Sequence, residues 1–170
     1  MPVRLVQFGV ALKQSAMLSQ LINRRVTTIA LLGFAAGMPL ALSGSTMQAW
    51  LTRVDADITT IGLFSLVGLP YVFKFLWAPL VDRFQPGWPG RRRDWIMLCQ
   101  LALAGLLAYV GLTNLAEHNL AMLGVVAFLV AMMSATQDIA IDAYRTEVLS
   151  ERERGFGAAV YVTGYRVAML

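Results

Sequence analysis

The chain has 170 residues, of which 58% are hydrophobic and only 14% are charged, and its mean hydropathy is +0.62. Soluble domains carry about 25% charged residues, so this composition excludes an ordinary soluble globular protein and predicts an integral membrane protein. The formal charge of +4 comes from short basic clusters between apolar runs, which argues against nucleic-acid binding, and the single cysteine excludes an internal disulfide.

Residues 1–25 form a segment that is neither a signal peptide nor a membrane span. Its apolar residues recur at helical spacing between basic and amide side chains. Two interpretations remain open, an amphipathic helix in the cytoplasmic membrane interface or a loose tail.

Apolar runs long enough to cross a bilayer follow, since a transmembrane helix needs roughly 20 mostly apolar residues. The predicted spans lie at about residues 26–50, 58–81, 95–114 and 120–143, with a fifth, incomplete span at 155–170. This pattern predicts an all-α membrane protein. The fifth run is still apolar at Leu170, so we expect the front of a longer protein.

Basic residues alternate between the predicted connections. The N-terminal segment has four Lys or Arg residues, the second connection four and the fourth three, against one and none in the other two. By the positive-inside rule, this asymmetry predicts a cytoplasmic N-terminus.

The first two spans contain candidate cavity residues. Gln48 lies in an unusually polar outer half of the first span, which serves either interhelical hydrogen bonds or the wall of a substrate cavity. In the second span, Pro70 should kink the helix beside Tyr71. Lys74 either extends to the cytoplasmic interface or faces the bundle interior, where an ionisable group is a functional candidate.

The connection after the second span carries a recognisable motif. It reads Ala78-Pro-Leu-Val-Asp-Arg-Phe84, followed by Gly90-Arg-Arg-Arg93. This resembles the G-x-L-x-D-R-x-G-R-R/K signature between helices two and three of the major facilitator superfamily. Ala78 replaces the leading glycine, and residues 85–89 interrupt the motif.

The fourth span ends with Asp138, Asp142 and Arg145. The two carboxylates stand at i and i+4, so they project from one face and require a compensating cation or a proton. Three interpretations remain open: a wet helix end, an interhelical charge latch, or direct proton coupling or substrate contact. Our hypothesis is a cytoplasmic-side charge network of Asp138, Asp142 and Arg145 with Asp82 and Arg83.

The fifth run contains Arg166 beside Tyr161 and Tyr165. These residues suit an anionic or sugar-like ligand, or a structural ion pair, and Arg166 joins Gln48, Tyr71 and Lys74 as a candidate for the cavity wall. The only histidine lies in a short outer loop, and no catalytic or metal-ligand constellation is present. The sequence therefore predicts neither an enzyme nor a cofactor or metal site.

Several motifs together resemble the AmpG muropeptide permeases. They are Phe34-Ala-Ala-Gly-Met-Pro-Leu-Ala-Leu42, Gln48-Ala-Trp-Leu51, Ile61-Gly-Leu-Phe-Ser-Leu-Val-Gly68, Tyr71-Val-Phe-Lys-Phe-Leu-Trp-Ala-Pro79, Gly90-Arg-Arg-Arg93, and Ser134-Ala-Thr-Gln-Asp-Ile-Ala-Ile-Asp-Ala-Tyr-Arg145 with Glu153-Arg-Gly155. The similarity runs from about Val26 to Leu170. The Gln-Asp-x-x-x-Asp element also resembles eukaryotic acetyl-CoA transporters and is less discriminating.

The resemblance implies a major-facilitator fold, of which this chain would supply the first four to five helices of the N-terminal bundle. It also implies an inner-membrane protein of a Gram-negative bacterium, with the remaining helices and the lipid bilayer as partners. The implied activity is import of N-acetylglucosaminyl-1,6-anhydro-N-acetylmuramyl peptides by proton symport, in cell-wall recycling and thereby in β-lactamase induction. Alternatives are another solute, such as an acyl-CoA, a sugar phosphate or a drug, and a non-transporting membrane sensor or scaffold.

Overall fold

The computed structural model describes residues 23–53, 55–84, 90–113 and 119–170, and all regular structure in these ranges is helical. Four helical stretches are long and apolar enough to cross a membrane, at Arg24–Arg53, Ile58–Leu76, Arg92–Leu112 and Leu120–Val148. We call these the first to fourth spans. The chain is thus a multi-pass membrane protein. The N-terminal segment and the interruption at 85–89 lie outside the described residues, apart from residues 23–25.

The first span is interrupted near its middle. Helix α1, Arg24–Ala41, begins after Asn23, whose side chain accepts hydrogen bonds from the backbone N–H groups of Arg25 and Val26. A π-helical turn at Leu42–Thr46 follows, in which Gly44 leaves helical geometry with φ −96° and ψ −108°, and α2 then runs from Met47 to Arg53. Apolar run length predicts one span at residues 26–50 and carries no information on a break within it.

The second span consists of short helices. Helix α3 is Ile58–Phe64, a 3₁₀ turn spans Ser65–Gly68, and α4 is Leu69–Phe73. A second 3₁₀ turn at Lys74–Leu76 precedes α5, Ala78–Arg83. Prolines occupy the first turns of α4 and α5, where their missing N–H costs little. Pro70 stands where the 3₁₀ turn passes into α4, the place at which the sequence predicts a kink.

The remaining helices are longer and regular. Helix α6 is Arg91–Leu112, α7 is Leu120–Val148, and α8 is Glu151–Ala168. Helix α7 continues five residues beyond the predicted end at 143, and α8 starts before the predicted 155, because the charged residues between them are compatible with helix. Helix α8 packs along α1, and α6 packs along α7, which also contacts α1.

Glycines allow α1 and α8 to touch through their backbones. A Cβ at Gly37 would lie 2.5 Å from the Tyr165 carbonyl oxygen, and one at Gly164 would lie 2.5 Å from that of Ala30. Gly33 faces the Tyr161 carbonyl in the same way. Such close approach is the usual role of small residues between membrane helices.

Basic helix ends gather on one side of the bundle. Asn23 at the start of α1 donates a hydrogen bond to Glu153 at the start of α8, and Arg25 donates to the Val148 carbonyl at the end of α7. Trp95 near the start of α6 donates to the Phe84 carbonyl just after α5. We call this side, where α1 and α6 begin and α7 ends, the arginine end. Arg53 and Asp57 lie at the opposite end of the first two spans.

The buried side chains form two apolar clusters. One joins Leu51, Phe64 and Val67 to the first half of α7, and the other joins Val26 and Ile29 to Ala140, Ile141, Leu149 and Tyr161. Between the two clusters, α7 presents a buried stretch of a different character.

Candidate functional site

A buried polar layer separates the two apolar clusters along α7. Ser134 and Gln137 are each 1% exposed, Thr136 is 6% exposed and Asp138 is 7% exposed. Thr136 has partners, since its hydroxyl donates to the Met132 carbonyl and accepts from Trp77 Nε1 at 3.2 Å. Polar groups that are buried among apolar helices are costly, so such a layer is by default a functional candidate.

The charged element of this layer is an ion pair between two spans. Lys74 Nζ of the second span lies 3.6 Å from Asp138 Oδ2 of α7. The Lys74 side chain is 34% exposed and that of Asp138 is 10% exposed. Lys74 therefore faces the bundle interior rather than the interface, and Asp138 does not belong to a water-exposed helix end.

Several polar atoms of the layer have no hydrogen-bond partner among the described residues. They are Asp138 Oδ1, both amide atoms of Gln137, Ser134 Oγ and the Tyr71 hydroxyl. The Tyr71 hydroxyl is near Ser43 and Ser134. Because hydroxyls and amides both donate and accept, these groups can recognise a polar ligand from two sides while Lys74 and Asp138 supply charge.

The polar layer is deep in the bundle. Asp138 is ten residues from the end of α7 at Val148, which corresponds to about 15 Å of helical rise. Helix α7 has 29 residues, so Asp138 lies nearer the middle of the helix than its end.

A second charged group lies at the arginine end. Arg92 donates to Asp82, and Arg92 Nε also donates to Glu147 Oε1 at 3.0 Å. One guanidinium thereby ties α5 to α6 and α7. The Arg92 side chain is 13% exposed, while both carboxylates are about half exposed.

A third pair is local to α7. Arg145 Nη2 lies 3.2 Å from Asp142 Oδ1, and the Arg145 guanidinium carbon lies 4.9 Å from the centre of the Tyr161 ring on α8. A guanidinium over an aromatic face gains a favourable cation–π interaction. Arg145 therefore links α7 to α8.

The structure groups the charged residues of the hypothesis into three separate ion pairs. Asp138 pairs with Lys74, Asp82 pairs with Arg92, and Asp142 pairs with Arg145. Arg83 is exposed and forms no ion pair in the described parts of the chain. The split arises because Asp138 and Asp82 lie at different depths.

The four candidates for the cavity wall also divide. Tyr71 and Lys74 border the polar layer, whereas Gln48 on α2 and Arg166 on α8 are exposed. Neither exposed residue forms a hydrogen bond or ion pair with Lys74 or Asp138 within the described ranges. Tyr165 stacks near Tyr161, with ring centres 6.2 Å apart, so the tyrosine pair itself is present.

Sequence reasoning missed four residues of these sites. Ser134 stands four residues before Asp138, so helical spacing could have placed it on the same face. Gln137 stands one residue before Asp138, and spacing gives no such signal for it. Arg92 was counted only among the basic residues of the second connection, and Glu147 was not a candidate. In the parts of the chain that the structure describes, no group of three metal-ligating side chains is present.

Comparison with known proteins supplies the family. The family model described as "Acetyl-coenzyme A transporter 1" matches residues 26–170. The anhydromuropeptide permease of Escherichia coli K12 is 48% identical over 146 residues, which cover 86% of this chain and 30% of the permease. The putative transporter AmpG 1 of Rickettsia prowazekii is 33% identical over 87% of this chain and 34% of that protein. No solved structure matches the chain.

These relatives confirm the fold class, an all-α membrane protein of the major-facilitator type, and the resemblance to AmpG permeases. The chain spans about a third of their length. With most of its residues matched by the family model, this protein belongs to the acetyl-coenzyme A transporter 1 family, and its relatives include the AmpG permeases.

Proposed function

We propose that the full-length protein is a secondary transporter that imports anhydromuropeptides from the periplasm by proton symport. The main support for this proposal is the 48% identity to an anhydromuropeptide permease over 86% of this chain. The polar layer supports it, because a solute rich in hydroxyls, amides and carboxylates needs donors and acceptors inside the membrane.

The proposed location is the bacterial inner membrane, with the N-terminus in the cytoplasm. The observation in favour is the gathering of basic residues at the arginine end, where Arg25, Arg92 and Arg154 all make contacts between or next to helix ends. Positive residues are retained on the cytoplasmic side of inner-membrane proteins.

The Lys74–Asp138 pair is the proposed coupling element. A carboxylate that faces an ammonium group in the interior can exchange its partner for a proton or for a substrate group, and each exchange changes what ties α7 to the second span. Tyr71, Ser134 and Gln137 would line the same side of the cavity, with Gln48 and Arg166 contributing from the surfaces that face the rest of the transporter.

The Arg92 cluster is the proposed gate latch. Its ion pairs to Asp82 and Glu147 would hold the arginine end closed while the cavity is open to the periplasm, and would break when it opens inward. Asp142 and Arg145 would act with it by holding α7 against α8.

Uptake of labelled anhydromuropeptide by the full-length protein tests the proposal. We expect Asp138→Asn to reduce the uptake rate and to flatten its pH dependence, and Asp142→Asn to have a smaller effect. Asp55→Asn is the matched control, since Asp55 is exposed at the opposite end and its φ of 52° is one that asparagine adopts readily. An unchanged rate and pH profile in both Asp138→Asn and Asp142→Asn would contradict the proposal.

A second candidate substrate is an acyl-CoA, favoured by the description of the matching family model. Vesicles that contain the full-length protein separate the two. Unlabelled anhydromuropeptide should compete with labelled anhydromuropeptide, and acetyl-CoA should not. Uptake of labelled acetyl-CoA without uptake of labelled anhydromuropeptide would favour the acyl-CoA hypothesis, and absence of any proton-dependent flux would favour a sensor or scaffold.

A further inference from the structure

A cleft at the arginine end lies outside the polar layer and borders the latch at Glu147. It is enclosed by α1, α6 and α7 and has a volume of about 970 Å³. Its rim carries Arg24 and Arg25 from the first turn of α1 and Arg93 from the first turn of α6. Three guanidinium groups from two helices therefore converge on one opening.

The rim carries more positive than negative charge, although Arg25 is close enough to Glu153 for an electrostatic interaction. The acid that lines the cleft, Glu147, is already paired with Arg92 at 3.0 Å. Arg25 gives one N–H to the Val148 carbonyl, which leaves most of its five donors available. The amino ends of α1 and α6, with their positive helix-dipole ends, point to the same region.

The wall of the cleft below the rim is apolar. Leu32 lies eight residues further along α1 than Arg24, which is about 12 Å of helical rise, and Ile96 and Met97 follow one turn after Arg93. Met97 is 55% exposed. A charged rim over an apolar wall fits a molecule with an anionic head and an apolar body.

The cleft is separate from the proposed transport cavity. Glu147 follows Asp138 by nine residues, so the two side chains project from about opposite sides of α7 at 100° per residue. A ligand in the cleft therefore contacts a different face of the helix from a solute in the polar layer.

We infer that this cleft binds an anionic phospholipid of the leaflet at the arginine end, with the phosphate between Arg24, Arg25 and Arg93 and the acyl chains against Leu32 and Met97. Basic pockets between membrane helices are suited to acidic lipid headgroups. Such a lipid would hold the amino ends of the first and third spans together beside the Arg92 latch.

Lipid binding to the purified full-length protein tests this inference. After delipidation, the protein is titrated with phosphatidylglycerol or phosphatidylcholine, and bound lipid is counted by native mass spectrometry. We expect wild-type protein to prefer phosphatidylglycerol, and the Arg24→Gln/Arg93→Gln variant to bind it about 25-fold more weakly, at roughly fivefold per arginine. Arg53→Gln, at the opposite end, is the matched control and should bind as wild type does.

Two controls accompany this measurement, one for folding of the variant and one for the role of the acyl chains. The melting temperature in phosphatidylcholine nanodiscs reports whether the double variant is folded, and if it is not, Arg24→Gln alone replaces it, because Arg24 forms no ion pair within the described residues. Glycerol 3-phosphate is the soluble probe and should bind far more weakly than the lipid. Unchanged phosphatidylglycerol binding in the arginine variant, or equal affinity for glycerol 3-phosphate, would overturn the inference.

Discussion

An ammonium group and a carboxylate that meet inside an apolar bundle depend on each other. Lys74 and Asp138 lie 3.6 Å apart, and the Asp138 side chain is 10% exposed. Removal of one partner leaves the other charge in a region that solvates it poorly, whereas removal of both does not. At the residue scale, each charge of the pair therefore needs the other as its partner, and the pair as a whole need not add to the stability of the protein.

A double-mutant cycle on this pair gives the first prediction. We expect Lys74→Met and Asp138→Asn each to lower the free energy of unfolding by about 1–3 kcal/mol, less than for a fully buried pair because Lys74 is one-third exposed. The double variant should lose less than the sum of the two. Thermal unfolding in detergent measures this, and additive losses would contradict the coupling.

Glu153 gives a second prediction at this scale, in pH dependence. Its pKa is lowered from the ordinary value of 4.5 chiefly by the hydrogen bond from the Ser150 side chain, then by the Ser150 backbone N–H and by Asn23. A lowered pKa in the folded state stabilises the protein above the ordinary pKa, and this contribution is lost as the pH falls through the lowered value.

The measurement is the melting temperature between about pH 6 and pH 3. As the pH falls, we expect the melting temperature of Glu153→Gln to decrease less than that of the wild type, because the amide does not titrate. The Glu151→Gln variant, altered at a neighbouring exposed acid in the same helix turn, serves as the comparison. Identical acid profiles for wild type and Glu153→Gln would exclude the proposed role of the bond.

At the scale of elements, the contact between α1 and α8 is made by backbones rather than side chains. Gly37 is the clearest case, since a Cβ there would meet the Tyr165 carbonyl oxygen at 2.5 Å and the Ala168 Cβ at 2.9 Å. Neither atom can rotate away, so an added methyl group must push the helices apart. The two helices are therefore expected to move as one body.

Gly37→Ala tests this packing. We expect a loss of about 1–3 kcal/mol of unfolding free energy from overpacking, with a lower melting temperature. Gly105→Ala in α6 is the matched control, because a Cβ there meets nothing within 4 Å. It should be neutral or slightly stabilising, since alanine favours helix over glycine by about 1 kcal/mol. Equal effects of the two substitutions would refute the packing argument.

The limits of sequence reasoning are visible at the same scale. Apolar run length predicts that helices exist near residues 120–143, but it carries no information on rotation about the helix axis. The rotation of each helix about its axis determines that Arg92, and not Arg83, binds Asp82. The same rotation brings Arg92 to Glu147, which is 55 residues away in sequence. The distance of Asp138 from the helix end could in principle be counted from the sequence. That count requires the true end of the helix, which is Val148.

At the scale of the whole molecule, the charge asymmetry leads to a labelling prediction. With Cys99, which is buried, replaced by alanine, single cysteines at Ile58 and Glu151 should differ in access to a membrane-impermeant thiol reagent. Ile58→Cys, on a residue that is 88% exposed, should react in intact cells, and Glu151→Cys only after permeabilisation. The reverse pattern would contradict a cytoplasmic N-terminus.

The whole molecule also explains why the fold was easier to predict than the site. Composition and run length decide whether a segment crosses the bilayer, and both are read directly from residues 26–170. The polar layer instead combines Tyr71 and Lys74 with Ser134 and Asp138, which are about 60 residues apart. Only the packing of two helices brings them to one depth.

The turn at Leu42–Thr46 gives the first span two mechanical parts. Helix α1 is bound to α8 through glycine contacts, whereas α2 follows Gly44, whose backbone has already left helical geometry. We therefore expect bending at Gly44, where the backbone already departs from helical dihedral angles. We expect α2 to tilt while α1 stays fixed against α8, so that the half of the first span that ends at Arg53 can change shape without disturbing the half at the arginine end.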